Sequence, residues 1–178
     1  PFRAFLEHDL ATIHTLGKEG VFEVAFAAHS GVTIETFDKL SKAWLAETRH
    51  PQFGRRYTEL VYQPQLELLD YLRANGFKTF IVSGGGADFI RAFAEQTYGV
   101  PPEQVVGSTV NTKLQETDGH LELMKLAELQ SFDDREVKVQ NIGLHIGRRP
   151  ILAFGNSDGD LAMMRYTLSA PGRRLALL

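Results

Sequence analysis

Residues 153–164 read AFGNSDGDLAMM, and this stretch decides the fold class. The apolar run Ile151–Phe154 predicts a buried strand, and the residues from Asp158 onward predict a short helix. The loop between them carries an amide and two carboxylates, from Asn156, Asp158 and Asp160. Oxygen ligands at the carboxyl end of a strand are typical of a site for a hard cation such as Mg²⁺, although the same loop also fits a helix N-cap without a ligand. The segment predicts an α/β fold.

An earlier strand-to-helix junction reads FIVSGGG, residues 80–86. The apolar run Phe77–Val82 predicts a buried parallel strand, and a helix follows the glycines. Glycines let backbone N–H groups approach a ligand closely, and a helix N-terminus adds partial positive charge. A tight turn without a ligand fits the same residues, whereas a dinucleotide fingerprint does not, because Phe89 occupies a required glycine position. The candidate anion-binding residues are Ser83, Gly84 and Gly85.

Lys138 is the third candidate, within a predicted helix over residues 133–147. Its neighbours Val137 and Val139 are apolar, and a lysine held between apolar residues can direct its ammonium into a cleft and neutralise a phosphoryl group. The alternative is a lysine that faces water.

The pattern of predicted secondary structure changes near residue 60. Helical patterns dominate before it, and helices alternate with strands after it, so we divide the chain into a helical domain, residues 1–60, and an α/β domain, residues 61–178. Thr33 is placed to cap a helix, and Asp118-Gly119 predicts a hairpin turn. Further predicted elements are a helix opened by Pro64 and closed by Asn75-Gly76, a strand at Val105–Val110 and a last strand from Leu175.

Composition excludes several classes of protein. The 178 residues are 43% hydrophobic, which suffices for one sizeable core and a small second lobe. A net charge of −3 without a basic block argues against nucleic acid as a partner, and no apolar stretch reaches the roughly 20 residues of a membrane helix. The absence of cysteine excludes disulfides and thiolate chemistry. We expect a soluble chain, cytoplasmic or periplasmic.

One competing motif lies in the same loop. Gly155-Asn156-Ser157-Asp158-Gly159 formally fits the GxSxG elbow of α/β-hydrolases, in which Ser157 would be the nucleophile. The catalytic histidine of those enzymes follows the serine along the chain, whereas the last histidine here, His145, precedes it. This interpretation therefore needs a histidine beyond Leu178.

In their order and spacing, the three segments resemble the later signature motifs of the haloacid dehalogenase superfamily, in the branch similar to phosphoserine phosphatase. Ser83 matches the second motif, whose hydroxyl bonds the transferring phosphoryl group, and Lys138 matches the third, whose lysine steadies the charge of nucleophile and phosphate. Asn156 and Asp160 fall on the two acidic positions of the fourth motif, whose residues hold Mg²⁺. The resemblance covers residues 60–170.

Two features depart from the family pattern. The family usually has aspartate where Asn156 stands, so Mg²⁺ affinity should be lower unless Asp158 or Asp160 compensates. The first motif, a strand ending in DxDx[TV] that carries the nucleophile, is absent, because Asp9 and Asp38 each lie inside a helical pattern.

The resemblance implies a Mg²⁺-dependent phosphatase that acts on a small phosphorylated metabolite through an aspartyl-phosphate intermediate. Ser83 and Lys138 would be its catalytic groups. Without the nucleophile, the printed chain should be inert. The alternative from another class is a non-catalytic phosphate- or ligand-binding module, or an interaction module, on the same scaffold; protein partners stay open.

The implied fold is a Rossmann-like, three-layer α/β core with a parallel sheet and a helical cap, lacking the first core strand. That strand would lie between Phe77–Val82 and Ile151–Phe154, and we predict that these two strands flank a vacancy and do not pair directly. We also expect Ser83 and Asp160 to lie within roughly 15 Å of each other. Arg55 and Arg56 are candidate anion contacts from the helical lobe.

Overall fold

A computed structural model describes residues 30–178 together with residues 12, 15, 24, 27 and 28. These last five residues are helical. The rest of the predicted N-terminal helices, and Asp9, lie outside the described residues. The elements are α1 (Ile34–Glu47), α2 (Gln63–Ala74), β1 (Ile81–Gly86), α3 (Ala87–Tyr98), β2 (Val105–Thr117), β3 (His120–Ser131), α4 (Glu136–Asn141), β4 (Leu152–Phe154), α5 (Leu161–Leu168) and β5 (Leu175–Leu177). Short 3-10 helices cover Tyr57–Glu59, Pro102–Gln104 and Asp158–Asp160, and a π-helical turn covers Ile142–Ile146.

The chain forms two compact units, one of residues 1–37 and 110–130 and the other of residues 38–109 and 131–178. The boundary at residue 60 stays a prediction. Among the described residues, no helix combines the length and apolar composition needed to cross a bilayer.

The first unit contains the predicted hairpin. Strands β2 and β3 are joined at Asp118 and Gly119, which both have positive φ, 52° and 78°, as a two-residue turn of the type favoured by Asp-Gly requires. Thr33 caps helix α1 as predicted, because its Oγ1 accepts a hydrogen bond of 3.1 Å from the Thr36 N–H.

The second unit holds the sheets that position the site. Strand β1 pairs in parallel with β2, with Ile81 opposite Val105, and β4 pairs in parallel with β5, with Leu152 opposite Leu175. Parallel strands joined through helices give the α/β class that the sequence predicts.

Two hydrophobic clusters support these strands. Helix α3 packs Ile90 and Ala94 against Val100 and Val105, and helix α5 packs Met163 and Met164 against Ile142 and Ala153. The clusters fix the starts of α3 and α5, which are the places where the two predicted ligand-binding loops end.

A groove separates the two sheets. Among the described residues, no ladder joins β1 to β4, in agreement with the predicted lack of direct pairing. The groove has a volume of about 870 Å³, and residues of both predicted strand segments line it, namely 77–80 with Val82 and 151–154. The second unit therefore contains a mostly apolar groove lined by residues of β1 and β4.

Several predicted elements have different bounds in the structure; the strand predicted at Val105–Val110, for example, extends to Thr117. The strand predicted at Phe77–Val82 lies at Ile81–Gly86, because β2 pairs with β1 from Ile81 to Ser83 and again at Gly86, with an irregularity at the two glycines between them. The helix predicted over residues 133–147 begins at Glu136 and ends in the π-helical turn.

Candidate functional site

Strand β1 ends in the predicted anion cradle. The Ser83 Oγ accepts a hydrogen bond of 3.1 Å from the Gly85 N–H, so the serine hydroxyl folds back over the glycine loop. Gly86 precedes α3, and no side chain caps the first turn of that helix. Uncapped N–H groups at a helix N-terminus, next to an exposed glycine loop, can bind an oxyanion.

Gly107 on β2 faces this loop and was missed in the sequence. A Cβ at this position would lie 2.8 Å from the Gly85 carbonyl oxygen and 3.1 Å from the Ala87 backbone nitrogen. Glycine is therefore required for β2 to approach the cradle this closely. Only the register of β1 against β2 reveals that requirement.

Lys138 connects the cradle to the acidic loop. Its Nζ donates to the Val82 carbonyl oxygen at 2.7 Å and lies 3.1 Å from Asp160 Oδ1. The lysine is buried, and an ammonium has three N–H donors. The buried Lys138 ammonium therefore bridges Val82, the residue before Ser83, and the carboxylate of Asp160. Ser83 and Asp160 consequently lie within the expected distance of roughly 15 Å.

Asp160 is held from both sides. Its Oδ2 accepts hydrogen bonds from the Asn156 N–H at 3.0 Å and the Ser157 hydroxyl at 3.5 Å. Burial alone would raise the pKa of Asp160, but these donors together with Lys138 outweigh it and hold the pKa below the ordinary aspartate value. Asp160 is thus an anion whose charge is matched by Lys138.

Gly155 makes this arrangement possible. A Cβ on Gly155 would lie 2.5 Å from the Asp160 Cβ, so any larger residue would displace the carboxylate. Glycine is therefore required at position 155 for steric reasons.

The predicted metal ligands do not form a complete site in this structure. Asn156 and Asp158 are exposed, whereas both oxygens of Asp160 are engaged by protein donors. Within the described part of the chain, no three acidic, histidine or cysteine side chains cluster closely enough to hold a metal ion. The described residues therefore do not by themselves fit a magnesium shell, and Asn156 and Asp158 are the oxygen donors that face solvent.

A buried polar network behind the cradle was not predicted. The Ser108 hydroxyl donates to the Gly84 carbonyl oxygen at 2.8 Å and accepts from the Asp133 N–H at 3.0 Å. Asn141 Nδ2 donates to Asp133 Oδ1 at 2.9 Å, while Asp133 Oδ2 is buried without a hydrogen-bond partner. Burial raises the pKa of Asp133, although Asn141 and Lys138 oppose the shift. The network ties the glycine loop to the helix that carries Lys138.

The loop before α4 also contacts the acidic loop. The Arg135 N–H donates to the Gly159 carbonyl oxygen at 3.1 Å, and Asp134 Oδ1 lies where a Cβ on Gly159 would stand. Arg135 has a positive φ of 52°, which is unusual for a residue other than glycine. Asp133 and Asp134, the first two residues of the helix predicted over residues 133–147, were the one available signal for this loop.

The other two candidates lie differently. The Ser157 hydroxyl contacts Asp160, and no hydrogen bond joins it to a histidine within residues 30–178. Arg55 pairs with Glu59 at 3.6 Å on an exposed surface, and neither Arg55 nor Arg56 has a hydrogen bond to Ser83, Lys138 or Asp160 there.

Comparison with known proteins decides the family. Residues 1–165 match the model of the haloacid dehalogenase-like hydrolases. The chain belongs to the haloacid dehalogenase-like hydrolase family. This confirms the predicted superfamily and argues against the alternative of an α/β-hydrolase.

Two solved structures resemble this family member. A conserved, functionally unknown protein from Anaerococcus prevotii is 25% identical, with a TM-score of 0.55, and the match covers 76% of this chain and 41% of that protein. A phosphoserine phosphohydrolase-like protein from Francisella tularensis is 20% identical, with a TM-score of 0.47, and the match covers 89% and 67%. This chain thus spans about two-fifths of the length of the first protein. No curated protein is significantly similar to this chain.

Proposed function

We propose that this chain provides the phosphate-binding part of a Mg²⁺-dependent phosphatase that, in the whole protein, hydrolyses a small phosphomonoester through an aspartyl-phosphate. The observation that carries the proposal is the buried ammonium of Lys138, which lies between the Val82 carbonyl and the Asp160 carboxylate. A buried lysine in this position is a fixed positive charge beside an anion cradle.

Each described residue then has a defined task. The Ser83 hydroxyl and the Gly84 N–H donate to phosphoryl oxygens, Gly85 holds the Ser83 hydroxyl in place through its own N–H, and Lys138 neutralises the phosphoryl charge. Asp160 keeps the Lys138 ammonium in place and balances its charge. Because Asp160 is fully engaged, it is not available as the attacking carboxylate.

The nucleophile must come from another aspartate. Asp38 lies on α1 and pairs with Lys42 at 2.7 Å, and Asp9 lies outside the described residues. The groove between β1 and β4 supports the proposal that an extended, apolar segment with an aspartate at its carboxyl end occupies it in the active protein. We expect the 178-residue chain alone to be inert in phosphoryl transfer.

Mg²⁺ is part of the proposal for the whole protein. Asn156 and Asp158 would supply oxygen ligands from the exposed loop, and a bound Mg²⁺ would neutralise charge on the phosphoryl group. Residues 1–60, which the sequence predicts to form a helical domain, are proposed as the cap that selects the substrate.

Phosphate binding tests the cradle. Isothermal titration calorimetry with inorganic phosphate should show binding to the 178-residue chain, and Lys138→Met and Ser83→Ala should each weaken it at least about tenfold. Lys42→Met is the matched control, because Lys42 also pairs with an aspartate but is exposed. Equal phosphate affinity in all four proteins would contradict the proposed cradle.

Turnover tests the enzyme. With p-nitrophenyl phosphate and Mg²⁺, we expect hydrolysis by the full gene product and none by the 178-residue chain. Phosphate binding without hydrolysis by either protein would favour the non-catalytic binding module instead.

A further inference from the structure

An aromatic cluster lies beside the start of helix α3. The ring of Trp44 stacks on Tyr57 with centroids 5.2 Å apart, and it lies 6.0 Å from the ring of Phe89. His50 extends the cluster, with its ring 5.4 Å from Tyr57 and 4.7 Å from Phe53. We call these five residues the aromatic patch.

The aromatic patch is exposed although its members are large. Trp44 is 45% exposed, Tyr57 38% and Phe53 58%. Contiguous exposed aromatic surface on a soluble protein marks a binding site more often than a single exposed ring does. The patch therefore has unoccupied ring surface available for a ligand.

The patch reaches the first turn of α3, the helix that follows the phosphate cradle. Phe89 is the third residue of α3, so it lies on the helical turn that follows Gly86, about 5 Å along the helix axis. A ligand with its phosphate in the cradle would thus place its other end near Phe89, Trp44 and Tyr57.

Charge around the patch limits the ligand class. Arg49 and Arg56 are the chain neighbours of His50 and Tyr57 and form a β-bridge with each other, and within the described residues Arg55 is the one of these three arginines with an acidic partner, Glu59. Positive charge disfavours a quaternary ammonium or another cation, which aromatic surfaces otherwise bind. A flat, neutral or anionic group is favoured.

We infer that the aromatic patch selects phosphomonoesters whose leaving group is an aromatic or heteroaromatic ring. The ring stacks on Trp44 and Tyr57 while the phosphate lies in the cradle at Ser83. This inference rests on the proposed function, because it uses the same cradle.

Binding of paired phosphomonoesters tests the inference without turnover. By calorimetry, phenyl phosphate should bind the 178-residue chain about tenfold more tightly than methyl phosphate, because ring stacking adds to the shared phosphate contacts. Trp44 is the single tryptophan, so phenyl phosphate should also change the intrinsic fluorescence and methyl phosphate should not.

Variants locate the effect. Tyr57→Ala should remove most of the preference for phenyl phosphate and leave the affinity for inorganic phosphate unchanged, whereas Tyr71→Ala, an exposed tyrosine on α2, should change neither. Phe89→Leu, which keeps apolar volume, is the second variant should Tyr57→Ala fold poorly. Phosphate binding without a phenyl preference, or with a preference that both variants retain, would overturn the inference alone. If the unmodified chain does not bind phosphate at all, that result would contradict the proposed function as well.

Discussion

The ammonium of Lys138 lies 3.1 Å from Asp160 Oδ1, and the two side chains are only 6% and 10% exposed. A second ion pair in the chain, Lys42 with Asp38, has a similar short distance but is 58% and 37% exposed. The two pairs therefore differ in burial and hardly in contact geometry, which makes them a matched set.

Lys138→Met should destabilise the protein by about 3 kcal/mol, because it leaves the Asp160 carboxylate buried without its cation. Lys42→Met should cost less than about 1 kcal/mol, since exposed ion pairs contribute little. Urea unfolding followed by circular dichroism measures both free energies. Similar losses in the two variants would show that the Lys138 pair is solvated.

Acid should remove the stabilising contribution of Asp160. Its pKa is lower in the folded than in the unfolded protein, so the contribution is complete above the unfolded value and is lost as the pH falls through the lowered folded value. The free energy of unfolding, measured from pH 6 down to pH 3, should therefore fall more steeply for the unmodified protein than for Asp160→Asn. Parallel curves would contradict the lowered pKa.

Asp133 should show the opposite dependence. Its folded pKa is raised by burial, so its contribution is complete below the unfolded value and is lost as the pH rises through the folded value. Relative to Asp133→Asn, the unmodified protein should gain stability as the pH is lowered from 7 to 4. Denaturant titrations of both proteins at each pH give the difference between their free energies of unfolding. A difference that is constant with pH would argue against a buried Asp133 carboxyl with a raised pKa.

Gly107→Ala should disturb the cradle from behind. The new methyl would meet the Gly85 carbonyl oxygen, so we expect a loss of about 1–3 kcal/mol in stability and a weaker affinity for inorganic phosphate. Gly143→Ala is the control, because no atom lies within 4 Å of a Cβ there and alanine suits a helical position. Thermal unfolding and calorimetry should separate the two variants; equal behaviour would show that β2 can move away from the loop.

The sequence predicts those features of the fold that depend on neighbouring residues. The Asp118-Gly119 turn, the Thr33 cap and the helix that begins at Ala87 follow from residues a few positions apart. The strand Phe77–Val82 was shifted because pairing with Val105–Ser108, more than twenty residues away, decides which residues extend.

The sequence predicts the functional side chains of the site, but it does not predict the buried residues that hold them in place. Ser83, Lys138 and Asp160 were recognisable because each occupies the end of a strand or a position in an amphipathic helix. The sequence places Asp160 in a loop, and its burial became visible only with the tertiary structure. Gly107 and Ser108 carry no local signal at all, because their roles exist only through contact with the glycine loop.

The hydrogen bond from the Arg135 N–H to the Gly159 carbonyl joins two loops that are separated by more than twenty residues. One loop leads into the helix of Lys138, and the other ends at Asp160. With the Lys138–Asp160 pair, this bond forms a second crosslink between the same two segments, so moving one segment away from the other must break both contacts. The cation and its counter-ion are therefore coupled through the backbone as well as through their charges.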